Sequence, residues 1–192
     1  FDPKLLTLQP KGTRFRGDFQ SLALLDERAI DALSREIRDQ IVSTSQTLIP
    51  EIGQDNVAAI HVRGGDYTLN PHLGLLDKKA YTAAQEKLET IRGRPIDLFL
   101  VFTDDPAHSK KVLPKDKPYK FVSPSDMTGY QTLLTLSSSK NLIIANSSLS
   151  FWAGVFSQGL VLAPDPFFAE RIFPTENYYS SWERYQSSFV VK

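Results

Sequence analysis

His61, Arg63, Asp66 and Tyr67 fall in one short stretch, His61-Val62-Arg63-Gly64-Gly65-Asp66-Tyr67, directly behind the apolar run Val57-Ala58-Ala59-Ile60. A guanidinium delivered at the end of such a run can pair its N–H groups with the oxygens of a diphosphate. The same pairing steadies charge that builds on a departing phosphate. The competing reading is a solvated loop held by a local salt bridge. A second cluster, Asn146-Ser147-Ser148, follows Leu142-Ile143-Ile144-Ala145 and precedes a helical pattern from Leu149 to Gly154. Backbone N–H groups and hydroxyls at a strand-to-helix junction can take phosphate oxygens without a metal, and either serine can equally cap the helix. Asn146-Ser147-Ser148 is formally a glycosylation sequon, but its place against a buried strand argues against a glycan.

Three other groups need weighing. His61, taken alone, reads as a satisfied core histidine more readily than as a ligand or base. Asp66 is the nearest candidate for a general base, yet a carboxylate beside a guanidinium makes a weaker one. Its first reading is therefore structural, holding the turn, with a catalytic role second. Asp104-Asp105 ends the run Phe99-Leu100-Val101-Phe102-Thr103 and invites comparison with an Asp-x-Asp metal site. Adjacent side chains at a strand end point apart, and no third carboxylate or histidine has the spacing to complete a cation cage, so no metal is expected. Asp104 is read as steadying Arg63.

Such groups must be carried by a rigid frame, and the chain supplies one by alternation. Residues 1–20 carry Pro3, Pro10, Gly12 and Gly17 and read as a turn-broken leading segment. Its Arg16-Gly17-Asp18 is a chance tripeptide match. From the cap candidate Asp26, the residues Ile30, Leu33, Ile37 and Ile41 recur at helical spacing, and Ser43 to Gln54 reads as a loop. After the strand from Val57, a loop containing His72 leads to Asp77, which caps a helix with Tyr81, Ala84, Leu88 and Ile91 on one face and Gly93 and Pro95 as stops. Strands at Asp97–Thr103, Tyr119–Val122, Leu142–Ala145 and Leu160–Ala163 alternate with helices at Pro106–Leu113, Thr128–Ser139 and Ser148–Ser157. The aromatic-rich remainder from Pro164 is expected to pack back over the sheet. Strand–helix alternation without repeats predicts an α/β fold with a doubly wound, mostly parallel sheet of about five strands.

Composition narrows the function. Of 192 residues, 41% are hydrophobic and 23% charged, enough for one sizeable core and unlike a disordered chain. Lys plus Arg equals Asp plus Glu at 22 each, so no overall field draws nucleic acid or an anionic membrane. With no cysteine, disulfides and cysteine-based zinc sites are excluded. No apolar run is long enough to span a membrane. An NAD-dependent oxidoreductase is disfavoured because no G-x-G-x-x-G opens a helix after a strand. A structural adaptor would require Arg63, Ser147 and Ser148 to point apart.

The two clusters together resemble glycosyltransferase family 11, the α-1,2-fucosyltransferases, with signatures like H-x-R-[RG]-G-D-Y and A-N-S-[ST]-[FL]-S-[WF]-W-A. Phe99–Asp105, Val161-Leu162-Ala163-Pro164 and Phe19-Gln20-Ser21 are similar to further family segments in the same order. The resemblance implies a Rossmann-like donor domain of GT-B type and inverting, metal-independent transfer of L-fucose from GDP-fucose to the 2-hydroxyl of a terminal galactose. It also implies a nucleotide sugar and a glycan acceptor as partners. It assigns His61, Arg63, Tyr67, Asp104, Asn146, Ser147 and Ser148 to donor binding, with Arg63 stabilising the leaving group. Gly64 stands where many members carry a second Arg. Thr132 stands where many carry an acidic residue that reads guanine. The chain opens on Phe1 and lacks the family's G-G-L-G-N-Q-like segment. The expectation is a leading segment and helix over 1–50, linking to a missing amino-terminal half, and a nucleotide-sugar-binding domain over 51–192. A fragment that binds nucleotide without transfer is the alternative. The expected location is the bacterial cytoplasm, peripheral to the inner membrane, or the Golgi lumen in a eukaryote.

Overall fold

A computed structural model describes residues 27–69, 72–123, 125–170 and 178–190. The Arg16-Gly17-Asp18 and Phe19-Gln20-Ser21 segments, the Asp26 cap and the stretch 171–177 of the aromatic-rich remainder lie outside them. In chain order the elements are α1 (Glu27–Leu48), β1 (Val57–Val62), α2 (Lys78–Arg92), β2 (Leu98–Thr103), α3 (Pro106–Val112), β3 (Tyr119–Val122), α4 (Gly129–Ser137), β4 (Asn141–Ile143), α5 (Ser148–Phe156), β5 (Leu160–Asp165) and β6 (Glu183–Gln186). A single-turn 3-10 helix, Gly65–Leu69, follows β1.

All strands pair in parallel, in the order β3-β2-β1-β4-β5-β6. The chain winds outward from β1 to β3, then returns across β1 to lay down β4 beside it. That reversal leaves a crevice outside the carboxyl ends of β1 and β4, where open α/β sheets take their ligands.

Every residue of β1 is buried, because helices cover both faces of the sheet. Val57 and Ala59 join Leu136 of α4, Phe151 and Ala153 of α5, and Trp182 in one core. Ala58, Ile60 and Val62 join Ala80, Tyr81, Ala84 and Leu88 of α2 in the other. The period of the strand thus puts His61 and Arg63 on the α4–α5 side.

Local signals explain the boundaries. Asp77 accepts the Ala80 N–H at 3.0 Å, and Gly93 ends α2 at φ 64 with its N–H turned back to the helix carbonyls. Thr128 and Gln131 form a reciprocal capping box on α4.

Three expectations are corrected. Helix α1 runs on to Leu48 through the stretch read as a loop from Ser43. The hydroxyls of Ser45 and Thr47 donate to the carbonyls of Ile41 and Ser43 at 2.6 and 2.8 Å, so they serve the helix instead of competing with it, and the break waits for Pro50. Leu33 of α1 and Ile91 of α2, assigned to apolar stripes, are exposed. Finally, the sheet has six strands, not about five. Part of the aromatic tail does cover the sheet, through Phe167, Phe168, Tyr178 and Trp182, but Glu183–Gln186 extends it as an edge strand. Only Tyr185 of that strand is buried, and its hydroxyl donates to the Ile144 carbonyl at 2.9 Å.

Candidate active site

Arg63 leaves β1 and is held from three directions. One terminal nitrogen donates to Asp104 and the other to Asp66, while the guanidinium lies over the Tyr67 ring at 5.1 Å from its centroid. The second oxygen of Asp104 accepts the Gly64 N–H at 2.8 Å, so one carboxylate fixes both the turn and the guanidinium. The two pairs differ in character. Asp104 is 30% exposed, whereas Asp66 is 70% exposed and easily displaced. The Nε of Arg63 is buried without a partner.

The glycines of this turn are dictated by close approach. A Cβ on Gly64 would meet the Asp105 Cβ at 2.5 Å, and Gly65 has φ +41 with Asp104 against it. Gly64 therefore answers to the packing of the β2 end; a side chain at that position has no room as the loop stands.

The β4 end is tied to the turn after β1 by one hydrogen bond and to the 72–76 loop by two. Tyr67 donates its hydroxyl to the Asn146 carbonyl at 2.9 Å. Asn146 itself is 1% exposed, and its amide donates to the carbonyls of Leu73 and Gly74 at 2.9 and 3.0 Å, tying down the 72–76 loop. That burial leaves the sequon no outlet for a glycan. Ser147 caps α5 by accepting the Ser150 N–H at 3.2 Å, so the cap reading holds for Ser147, while Ser148 is half-buried on the first turn. The N–H groups of Ser148 and Leu149 begin the helix without intrahelical acceptors, which makes an anion-receptive end.

His61 is 6% exposed, and its Nδ1 meets the Ser150 hydroxyl. Burial pulls its pKa down to about 4, outweighing the Asp104 carboxylate, so the ring is neutral at pH 7. Ser150 is the contact that sequence reasoning missed. Its signal was its place one helical turn beyond Asn146, where its side chain can reach back to the strand.

A cleft of ≈190 Å³ opens at these strand ends, lined by His61, Arg63, Thr103, Asp104, Met127, Thr132 and Leu149, among others. It brings His61, Arg63 and Asp104 together with the start of α5. Tyr67 and Asn146 stand behind it as struts. A larger hollow of ≈320 Å³, between Arg38 of α1, Lys140 and Phe156, lies toward the opposite rim, where the chain enters β4 and leaves α5. The topology places a ligand crevice at the carboxyl ends, so the smaller cleft is the candidate. Asp104 and Asp105 diverge: Asp104 serves Arg63 and Gly64, and Asp105 caps α3 by accepting the His108 N–H at 2.9 Å. Among the described residues, no three His, Asp or Glu side chains converge.

The family model for glycosyl transferase family 11 matches residues 23–184. The chain belongs to glycosyltransferase family 11. Similar curated proteins include the O-antigen biosynthesis glycosyltransferase WbnK of Escherichia coli, 31% identical over 123 residues, which cover 59% of this chain and 40% of that protein. The α-1,2-colitosyltransferase of Escherichia coli is 30% identical over 125 residues, covering 59% of this chain and 41% of its own length. The match thus spans about two fifths of these relatives. No helix among the described residues is long and apolar enough to cross a membrane.

Proposed function

We propose that this chain forms the donor site of an inverting, metal-independent glycosyltransferase that moves L-fucose from GDP-fucose to the 2-hydroxyl of a terminal galactose. The observation that carries the reading is the meeting of Arg63, His61 and the α5 amino terminus at the β1/β4 switch point of a family 11 chain. The diphosphate would displace the exposed Asp66 from the guanidinium while Asp104 keeps the fork aimed. The N–H groups of Ser148 and Leu149 would take further phosphate oxygens. These donors are in place before reaction, so charge developing on departing GDP meets fixed dipoles without reorganisation cost. His61, neutral, adds an uncharged N–H.

Inversion needs in-line attack by the acceptor hydroxyl. Asp66 is the carboxylate that a departing Arg63 contact would free for that proton, and its first role remains structural, holding the turn. No carboxylate stands at Thr132 to read guanine, so base selection would fall to the polar groups and backbone near Ser123 and Thr132. One relative is named for colitose, which leaves the sugar to the site rather than to the family.

The test is calorimetric titration with GDP and then ADP in EDTA, beside Arg63→Ala, followed by transfer from labelled GDP-fucose to a galactoside. Micromolar, chelator-resistant, guanine-preferring binding that is lost in the variant supports the site. Absence of GDP binding by the folded chain sinks it. A second reading, donor binding without transfer, is favoured by the match to only about two fifths of the relatives. It predicts full GDP affinity and no product.

A further inference from the structure

We propose that Ser150 is a positioning residue that fixes His61 in the tautomer carrying its proton on Nε2, so that the ring offers the cleft a neutral N–H donor.

The inference follows from proton accounting at one buried hydroxyl. Ser150 is fully buried on the first turn of α5. Its Oγ accepts the Ala145 N–H at 3.1 Å and lies in hydrogen-bond contact with His61 Nδ1. A serine hydroxyl has a single proton to donate, and no other acceptor for it is found among the described residues. The proton therefore goes to Nδ1, which must be bare. If Nδ1 carried the hydrogen, Oγ would accept twice and strand its own proton in the core, at the cost of an unmade buried hydrogen bond. The imidazole stays uncharged, because burial resists the second proton. Its one hydrogen then resides on Nε2. That atom has no partner among the described residues and is not among the buried orphaned atoms, so it opens on the cleft.

A bare ring nitrogen in the cleft would repel phosphate and ribose oxygens, whereas an N–H attracts them. Ser150 thus decides the sign of the interaction that His61 offers without touching the ligand itself. The choice of a phosphate or ribose oxygen as acceptor rests on the donor-site reading above; the tautomer does not.

The experiment is nitrogen-15 NMR of the histidine-labelled chain at neutral pH, with His61→Gln identifying the resonances. A pyridine-type shift at Nδ1 and a pyrrole-type shift at Nε2 of His61 are expected, and the reverse pattern overturns the proposal. Ser150→Ala should mix the tautomers and weaken GDP binding about tenfold, the loss of one well-made hydrogen bond. Ser150→Thr, which keeps the hydroxyl, should restore both. Unmixed tautomers and unchanged GDP affinity in a folded Ser150→Ala chain would also overturn it. Should Ser150→Ala fail to fold because the Ala145 N–H is orphaned, the wild-type spectrum alone decides. The Nε2–H pattern in a wild-type chain that takes no GDP would sink the donor-site reading while supporting the Ser150 assignment.

Discussion

His61 links the site to the stability of the domain. Its pKa falls from an ordinary 6.5 to about 4 because the imidazolium would be buried. Between those values the unfolded chain binds a proton that the folded chain refuses, so folding stability is complete above about pH 6.5 and is lost as pH falls toward 4. The group can account for roughly 3 kcal/mol across that window, and half-buried His108, shifted the same way by burial, adds to the slope. Urea midpoints should be level near pH 7 and drop below about 6.5, with His61→Gln flattening much of the fall. An equally steep fall in the variant would place the linkage elsewhere. At Arg63 the question is one of competition. Asp66 and a diphosphate seek the same terminal nitrogen, and the exposed Asp66 pair contributes at most about 1 kcal/mol to folding. Asp66→Asn should therefore leave the melting temperature nearly unchanged while GDP affinity rises about two- to fivefold, most clearly at low salt. Transfer that vanishes with binding intact would instead make Asp66 the base.

The turn after β1 works as an element because β2 holds it. Asp104 and Asp105 pack so closely on Gly64 and Gly65 that a methyl group at Gly64 must push the β2 end away. Gly64→Ala should cost about 1–3 kcal/mol, the range for overpacking, and should lower GDP affinity by freeing Arg63 from Asp104. Thermal melting and titration of the same variant separate the two effects. Tyr67→Phe tests the strut between the β1 and β4 loops. Losing its hydrogen bond to the Asn146 carbonyl should cost about 1 kcal/mol and leave the Arg63 stacking in place. Much of this scale was legible in the chain: apolar runs broken by small or charged residues mark β1, β2 and β4, and Asp77 and Gly93 bracket α2. Ser43–Leu48 was not, since serine and threonine favour loops by propensity and here bond back into the helix. Nor was β6, where Glu183-Arg184-Tyr185-Gln186 lacks alternation because an edge strand buries one side chain only.

Across the whole molecule, the sheet order could not be read from any one segment. Which strand lies beside β1 is decided by long-range pairing, and the alternation of strands and helices allows several doubly wound orders. The two clusters, distant in sequence, indicated that β1 and β4 adjoin only if they serve one site, and the register Ala59↔Leu142 and Ile60↔Ile143 bears that out. The same pairing makes β1 a shared wall between the two cores, one on each face. Neither core can open without exposing the other side of a strand it depends on. Unfolding should therefore be one transition, whether followed by Trp152 and Trp182 on the α4–α5 side or by Tyr81 on the α2 side, and two separated transitions would refute the shared wall. A ligand bridging the β1 and β4 ends should stabilise both cores together. GDP at about a hundred times its dissociation constant should add about 2.7 kcal/mol, or roughly 5–10 °C in melting temperature for a domain of this size, with both probes moving in step. With equal numbers of acidic and basic residues there is no overall field to screen, so that shift should weaken only modestly when salt is raised. A steep loss with salt would mean that the nucleotide is held by scattered surface charge rather than by Arg63 and the start of α5.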